Sequence, residues 1–161
     1  MLRRVLVKTL ALKTMSKPVR EALRRRTTET SLVFLDDRSM LRLNKLYRGK
    51  KTTTNVLSFS FVRPPNKIAA GSVLLLGEIL ISPKQAAQDA RRQGHTLADE
   101  IVLLFLHGLL HVVGFDHEGS SAKKKVMRQA EQDVIAQIPR LKRAVSGDGL
   151  LIRELVYPGK K

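Results

Sequence analysis

Two histidines, His107 and His111, stand four residues apart in the run His107-Gly-Leu-Leu-His111-Val-Val-Gly114-Phe-Asp116-His117. On a helix of about 3.6 residues per turn, that spacing puts both imidazoles on one face. Gly114, three residues on, can take the positive φ that ends a helix and reverses the chain. Such a reversal would carry His117 round to the first two rings. Three nitrogen ligands with one position left open is the make-up of a catalytic rather than a structural zinc site. The stretch therefore points to metal-assisted hydrolysis. Burying three imidazoles without a metal or other partners would cost about 1–3 kcal/mol for each unsatisfied nitrogen.

The chain has no cysteine, so any metal must be held by histidine and oxygen. Neutral imidazole suits zinc, copper, nickel or iron, and spacing alone does not choose between them; the site type points to Zn2+, with the identity of the metal left open. The spacing H-x-x-x-H-x-x-G-x-x-H also occurs in metzincin proteases, where a Glu directly after the first histidine is the general base. Here that position is Gly108, which cannot accept a proton, so peptidase chemistry is disfavoured. His95, at the entrance of the same helix, is expected to be solvent-exposed rather than ligating.

The helix that must carry the histidines opens at Thr96-Leu-Ala-Asp99, a short form of capping box, and runs through Ile101, Leu104 and Phe105. Being apolar on most sides, it should be the buried central helix. Ahead of it the pattern predicts a strand over Arg4–Leu12 and a helix over Lys17–Arg26 with Pro18 in its first turn. A buried strand over Ser31–Leu35 follows. Asp36 or Asp37 then caps a helix bearing Met40, Leu41, Leu43 and Leu46, which Arg48-Gly49 ends. Strands are expected over Val56–Val62, stopped by Pro64-Pro65, and over Val73–Ile81, with Gly77 and Glu78 interrupting the latter. A helix runs from Ser82-Pro83 to Gly94. After the histidines comes an amphipathic helix over Ser120–Ile138, and Leu150–Tyr157 reads as a further strand or ordered tail. This order predicts α+β (mixed α/β) architecture: a small, mostly four-stranded sheet with about five helices, the metal site lying on the central helix and the turn after it. At 161 residues the chain is expected to be one domain, 1–161, with 140–161 as a C-terminal extension.

Charge is the second strong signal. Thirty Lys and Arg against 14 Asp and Glu give a formal +16, which favours a polyanionic partner. The basic residues cluster at Arg24-Arg25-Arg26, Arg48 with Lys50-Lys51, Arg91-Arg92, Lys123–Lys125, Arg140 with Lys142-Arg143, and Lys160-Lys161. RNA is the expected partner and a membrane is not. No helix reads as a basic amphipathic anchor, and no apolar run approaches the roughly 20 residues that span a bilayer. Phosphate contacts should dominate and weaken steeply with salt; with 4% aromatic residues, base stacking should contribute less. The first twenty residues contain no acid, as mitochondrial presequences do. The expected location is nevertheless cytoplasmic, with organellar targeting left open. Glu78 is a charge in an otherwise apolar strand. It reads equally well as an exposed edge-strand carboxylate or as a functional group.

The histidine run resembles the signature of the YbeY endoribonucleases, metal-dependent enzymes of ribosomal RNA maturation. Two upstream blocks are also similar: Leu43-Asn44-Lys45-Leu46-Tyr47-Arg48-Gly49-Lys50 to that family's L-N-x-x-Y-R-G-K, and Thr54–Phe61 to its T-D-V-L-S-F-P-F. Gly77-Glu78-Ile79 stands where the family has G-D-I, and Glu100 matches an acid seven residues before the first histidine. The resemblance runs from about Leu32 to Glu131. It implies that His107, His111 and His117 bind the metal, with Arg48 and Glu78 as candidate catalytic residues. It further implies a single-strand-specific endoribonuclease that matures ribosomal RNA, at the 16S 3′ end, and serves ribosome quality control. Ribosomal RNA and the small ribosomal subunit would be the partners, with no small-molecule cofactor. Arg48 suits such a role, because a guanidinium can hold a phosphate bidentately and offset charge that develops during cleavage. Its other reading is a helix C-terminal cation favoured by the dipole.

Three departures from the family pattern stand out. Asn55 replaces an Asp and reads as structural in a turn; Glu78 replaces an Asp on a longer arm; Ser60 stands where Pro is common. Asp116 reads equally as a partner orienting an imidazole or as a cap of the next helix. The competing reading of the whole chain is a non-catalytic, ribosome-associated RNA-binding factor whose metal is structural. A water in the fourth metal position would favour the enzyme, and a side chain such as Glu78 there the binding factor.

Overall fold

The strand expected at Ser31–Leu35 begins three residues earlier, as β1 (Thr28–Phe34), in the computed structural model of the chain, which describes residues 28–61, 73–115 and 120–136. It is followed by α1 (Asp37–Arg48), β2 (Val56–Ser60), β3 (Leu74–Ile81), α2 (Pro83–Gln93), α3 (Leu97–Val112) and α4 (Ser121–Ala136). The architecture is mixed α+β. Among the described residues there are three strands and four helices, against the four strands and about five helices expected. The expected strand Arg4–Leu12, helix Lys17–Arg26 and tail segment Leu150–Tyr157 lie outside the described residues.

The sheet has the order β1-β3-β2, with β1 parallel and β2 antiparallel to β3. Gly77 and Glu78 do not interrupt β3. Gly77 pairs with Thr30 and Ser60, and Glu78 with Ser31 and Phe59. The edge-strand reading of Glu78 is thereby corrected, because β3 is the middle strand. Its apolar residues serve both faces, as befits a strand covered on two sides. Leu76, Ile79 and Ile81 join Leu103, Leu104 and Leu110 of α3 and Met127, Val134 and Ile135 of α4 in the main core. On the opposite face Leu80 packs with Leu57 and with Met40 of α1.

The caps explain the helix starts. Asp36, rather than Asp37, caps α1 by accepting from Ser39 N at 2.7 Å. Asp37 instead ties α1 to α2, accepting from Ser82 Oγ at 2.7 Å and Gln85 Nε2 at 3.0 Å. Those hydrogen bonds, Ser82's foremost, hold its carboxyl below the usual carboxylate range. Thr96 caps α3 as expected.

Close approach seats α3 on the sheet. A Cβ on Gly108 would lie 2.9 Å from Ile79 Cγ2, and one on Gly77 would lie 2.2 Å from the Phe59 carbonyl oxygen and 2.9 Å from Val112 Cγ1. Neither site has room for a side chain. The glycine that fills the metzincin base position is therefore a packing glycine. Among the described residues, no single helix is long and apolar enough to cross a membrane.

Candidate active site

His107 and His111 sit on successive turns of α3, their ring centroids 4.8 Å apart at an interplanar angle of 78°. Both Nε2 atoms are buried. The chain then turns as expected: Gly114 has φ 99°, with Gly114 N donating to the His111 carbonyl and Phe115 N to that of Leu110. His117 and Asp116 fall in the four residues after Phe115 that lie outside the described ones. Among the described residues, no three His, Asp or Glu side chains come together as a metal-holding group.

His107 has a partner the sequence reading missed. Its Nδ1 lies 2.6 Å from Oε1 of Glu131 on α4, and both side chains are buried. A carboxylate can only accept there, so Nδ1 carries the proton and Nε2 presents its lone pair. Metal-binding histidines are commonly oriented in this way. Two neighbouring imidazoles set edge to face, one of them fixed by a carboxylate, are of a kind that a zinc-type ion takes as ligands. Glu131 was signalled in the sequence by its neighbours, since it shares a face of α4 with the apolar Met127, Ala130, Val134 and Ile135. A carboxylate on such a face calls for a partner.

A cleft of about 640 Å³ runs along β2, within the size range of clefts that take small ligands. Tyr47, Arg48 and Lys50 line it from the end of α1, and His111, Gly114 and Phe115 from the end of α3. Residues Leu57–Ser60 lie between them, and no acid is in the described lining. Asn44, buried in α1, donates to the Thr52 carbonyl at 2.7 Å and pins the loop after Arg48. Ser60 donates to the Val112 carbonyl at 2.8 Å, a bond that the proline common at this position could not make.

The structure thus brings Arg48 and His111 to one cleft, with His107 one turn further into α3. It does not bring Glu78 there. Gly77 and Ile79 face α3, so Glu78, by the alternation of a strand, points to the α1 side. Its Oε1 accepts from Ser31 Oγ at 3.3 Å.

Two further polar groups are explained. Asn55 Nδ2 donates to Asp89 Oδ2 at 2.8 Å, and Arg92 also binds Asp89. An amide at position 55 meets that carboxylate where an aspartate would repel it. His95 is not exposed as expected. Its ring is 3% exposed, with Nε2 2.6 Å from Oε2 of the fully buried Glu100. The turn at Gly94 folds the ring back over the first turn of α3. Burial pushes the Glu100 carboxyl up, and His95 partly offsets that.

Residues 3–139 match the family described as Endoribonuclease YbeY. The chain is 42% identical over 106 residues to the chloroplastic endoribonuclease YBEY of Arabidopsis thaliana, covering 66% of this chain and 18% of that protein. It is 38% identical to the endoribonuclease YbeY of Pelotomaculum thermopropionicum, over 68% of this chain and 72% of that one. The Aquifex aeolicus protein of the same name is 36% identical over 70% and 71% of the two chains. A solution structure of a Thermotoga maritima protein is 21% identical, with a TM-score of 0.45 over 98% of this chain and 93% of that one.

Proposed function

This chain belongs to the endoribonuclease YbeY family and is thereby an RNA-cleaving hydrolase, and we propose that it cuts single-stranded ribosomal RNA or its precursors, with metal assistance, in the cleft along β2. The observation that supports this most is the meeting of Arg48 with His111 across one cleft whose described lining holds no acid. His107, His111 and His117 would hold a zinc-type ion, which when bound would polarise a phosphate oxygen or acidify a water. Arg48 takes the scissile phosphate bidentately and offsets the charge that grows on its oxygens. Lys50, on the same wall, neutralises a neighbouring phosphate. Glu131 keeps the proton of His107 on Nδ1 and fixes the ring. Glu78, on the central strand and outside the described lining of the cleft, is given no step. The small ribosomal subunit and the 16S 3′ end are the proposed setting of this cleavage. A peptidase is disfavoured twice over, since position 108 has neither a base nor space for one.

The test is cleavage of a ribosomal RNA precursor by wild type, His107→Ala and Arg48→Ala, purified side by side with metal content measured on each. The expected result is cutting by metal-loaded wild type alone, with Arg48→Ala retaining its metal. Equal cutting by wild type and His107→Ala would show a contaminating nuclease and remove the proposal. Wild type that holds metal and binds RNA without cutting would be a binding factor instead.

A further inference from the structure

Tyr47 and Phe59 belong to the cleft but have no part in the chemistry above. Tyr47 is 61% exposed, yet its ring is backed by Phe59, the two centroids lying 4.9 Å apart at 68°. Such an edge-to-face contact is favourable in itself. Phe59 is fixed by its place in β2, opposite Glu78 of the central strand. One side of the tyrosine is thus anchored to the sheet while most of the residue stays open. Arg48 follows it directly and Lys50 stands two residues further, both lining the same cleft. An aromatic ring beside cations in a groove is how single-stranded nucleic acid is held, with phosphates on the cations and a base on the ring. Overall composition argues for little stacking, but one ring at the cleft is enough to hold one base.

We propose that Tyr47 is the base-stacking platform of the cleft, taking one unpaired base next to the phosphate that Arg48 holds. This rests on the RNA-cleaving reading above and adds a residue that selects for strandedness. A base inside a duplex has both faces occupied and cannot lie on the ring, so double-stranded RNA loses this contact. Exposed Leu46 precedes Tyr47, and exposed Phe61 stands two residues after Phe59. A protein partner seated on Tyr47 would make the ring indifferent to RNA, which the test below detects.

The experiment measures Kd, kcat and KM of the full chain for a short single-stranded oligoribonucleotide and for versions with one abasic nucleotide at each position in turn. Wild type, Tyr47→Phe, Tyr47→Leu and Tyr47→Ala are compared after thermal melts show which variants are folded. Tyr47→Ala and Tyr47→Leu should weaken binding and raise KM on the order of tenfold, with kcat nearly unchanged and Tyr47→Phe close to wild type. At one position the abasic nucleotide should cost wild type about the same factor and cost Tyr47→Ala nothing more. Overturning results are folded Tyr47→Leu or Tyr47→Ala binding like wild type, or abasic losses that add to the mutant loss at every position. Wild type that neither binds nor cuts any of these RNAs overturns the cleavage reading along with this one.

Discussion

Helix α3 engages two buried histidine–carboxylate pairs of the same chemistry and the same 2.6 Å separation, His95–Glu100 at its start and His107–Glu131 near its end. Their surroundings separate them. Glu100 lies five residues from its histidine and has Asp89 and Arg92 as charged neighbours, with Asp89 tied in turn to Asn55. Glu131 reaches His107 from another helix, 24 residues away in sequence. It fixes a ring that has a second imidazole one turn on, and beyond that the mouth of a basic cleft. The pair itself does not make a site. What sets the second pair apart is a further imidazole at helical spacing and an opening into a cleft.

The sharpest way to break this distinction is to remove one carboxylate at a time. Glu131→Ala should lower zinc affinity about 10- to 100-fold, read by titration against a competing chelator, and lower RNA cleavage with it. Glu131→Gln should fall less, because its amide oxygen can still accept from Nδ1. Glu100→Gln should leave zinc affinity unchanged. Equal losses at Glu100 and Glu131 would mean that the two pairs are not different in kind.

The two ends of α3 also differ in how they meet the sheet. The histidine-bearing half is seated through Gly108 and Gly77, where added Cβ atoms would overlap Ile79 and the Phe59 carbonyl. Gly108→Ala should cost about 1–3 kcal/mol of stability, read by urea unfolding. Ile79 is β-branched and cannot swing its Cγ2 aside cheaply. Combined with Ile79→Ala, the two penalties should not add, since the second change removes the atom the first collides with. Additive losses would show that the close approach is not what Gly108 serves.

Periodicity and capping residues made α1, α2, α3 and α4 legible, because each signal is local to the element it predicts. The spacing of His107 and His111 was legible for the same reason, as was the turn at Gly114. Partners were not legible. Glu131 and Asp89 are brought to His107 and Asn55 by packing between elements far apart in sequence. Glu78 misled because a charge in a strand says nothing of sheet order, and only the β1-β3-β2 order shows it to be central. His95 misled because a histidine at a helix entrance, when its glycine turn folds inward, can be as buried as the core.

Around the first pair, the Asn55–Asp89 contact gives a smaller effect. Asn55→Asp would set two carboxylates against each other in a half-buried place, with Arg92 offsetting part of the repulsion. The expected loss is about 1–2 kcal/mol at neutral pH. It should shrink on acidification as one carboxyl takes up a proton. A variant as stable as wild type at neutral pH would mean that Arg92 already neutralises the site.

The smallest effect tests the His95–Glu100 pair by pH alone. Burial is the largest influence on Glu100 and raises its carboxyl above the usual carboxylate range, with His95 opposing it and the nearby Asp89 adding to the rise. In the folded chain this carboxyl therefore keeps its proton at pH values where the unfolded chain has lost it. The folded state then binds more protons, so this group's contribution to stability falls as pH rises from the ordinary carboxylate value to the folded one. Asp37 has the opposite sign, its lowered carboxyl contributing stability that is lost on acidification. Glu100→Gln keeps the shape but cannot ionise, so its urea midpoint should decline less than that of wild type over the mildly acidic range. If wild type and Glu100→Gln run parallel there, Glu100 is ionised by His95 as readily as in water, and the first pair of α3 is a buried ion pair rather than a protonated acid beside an imidazole.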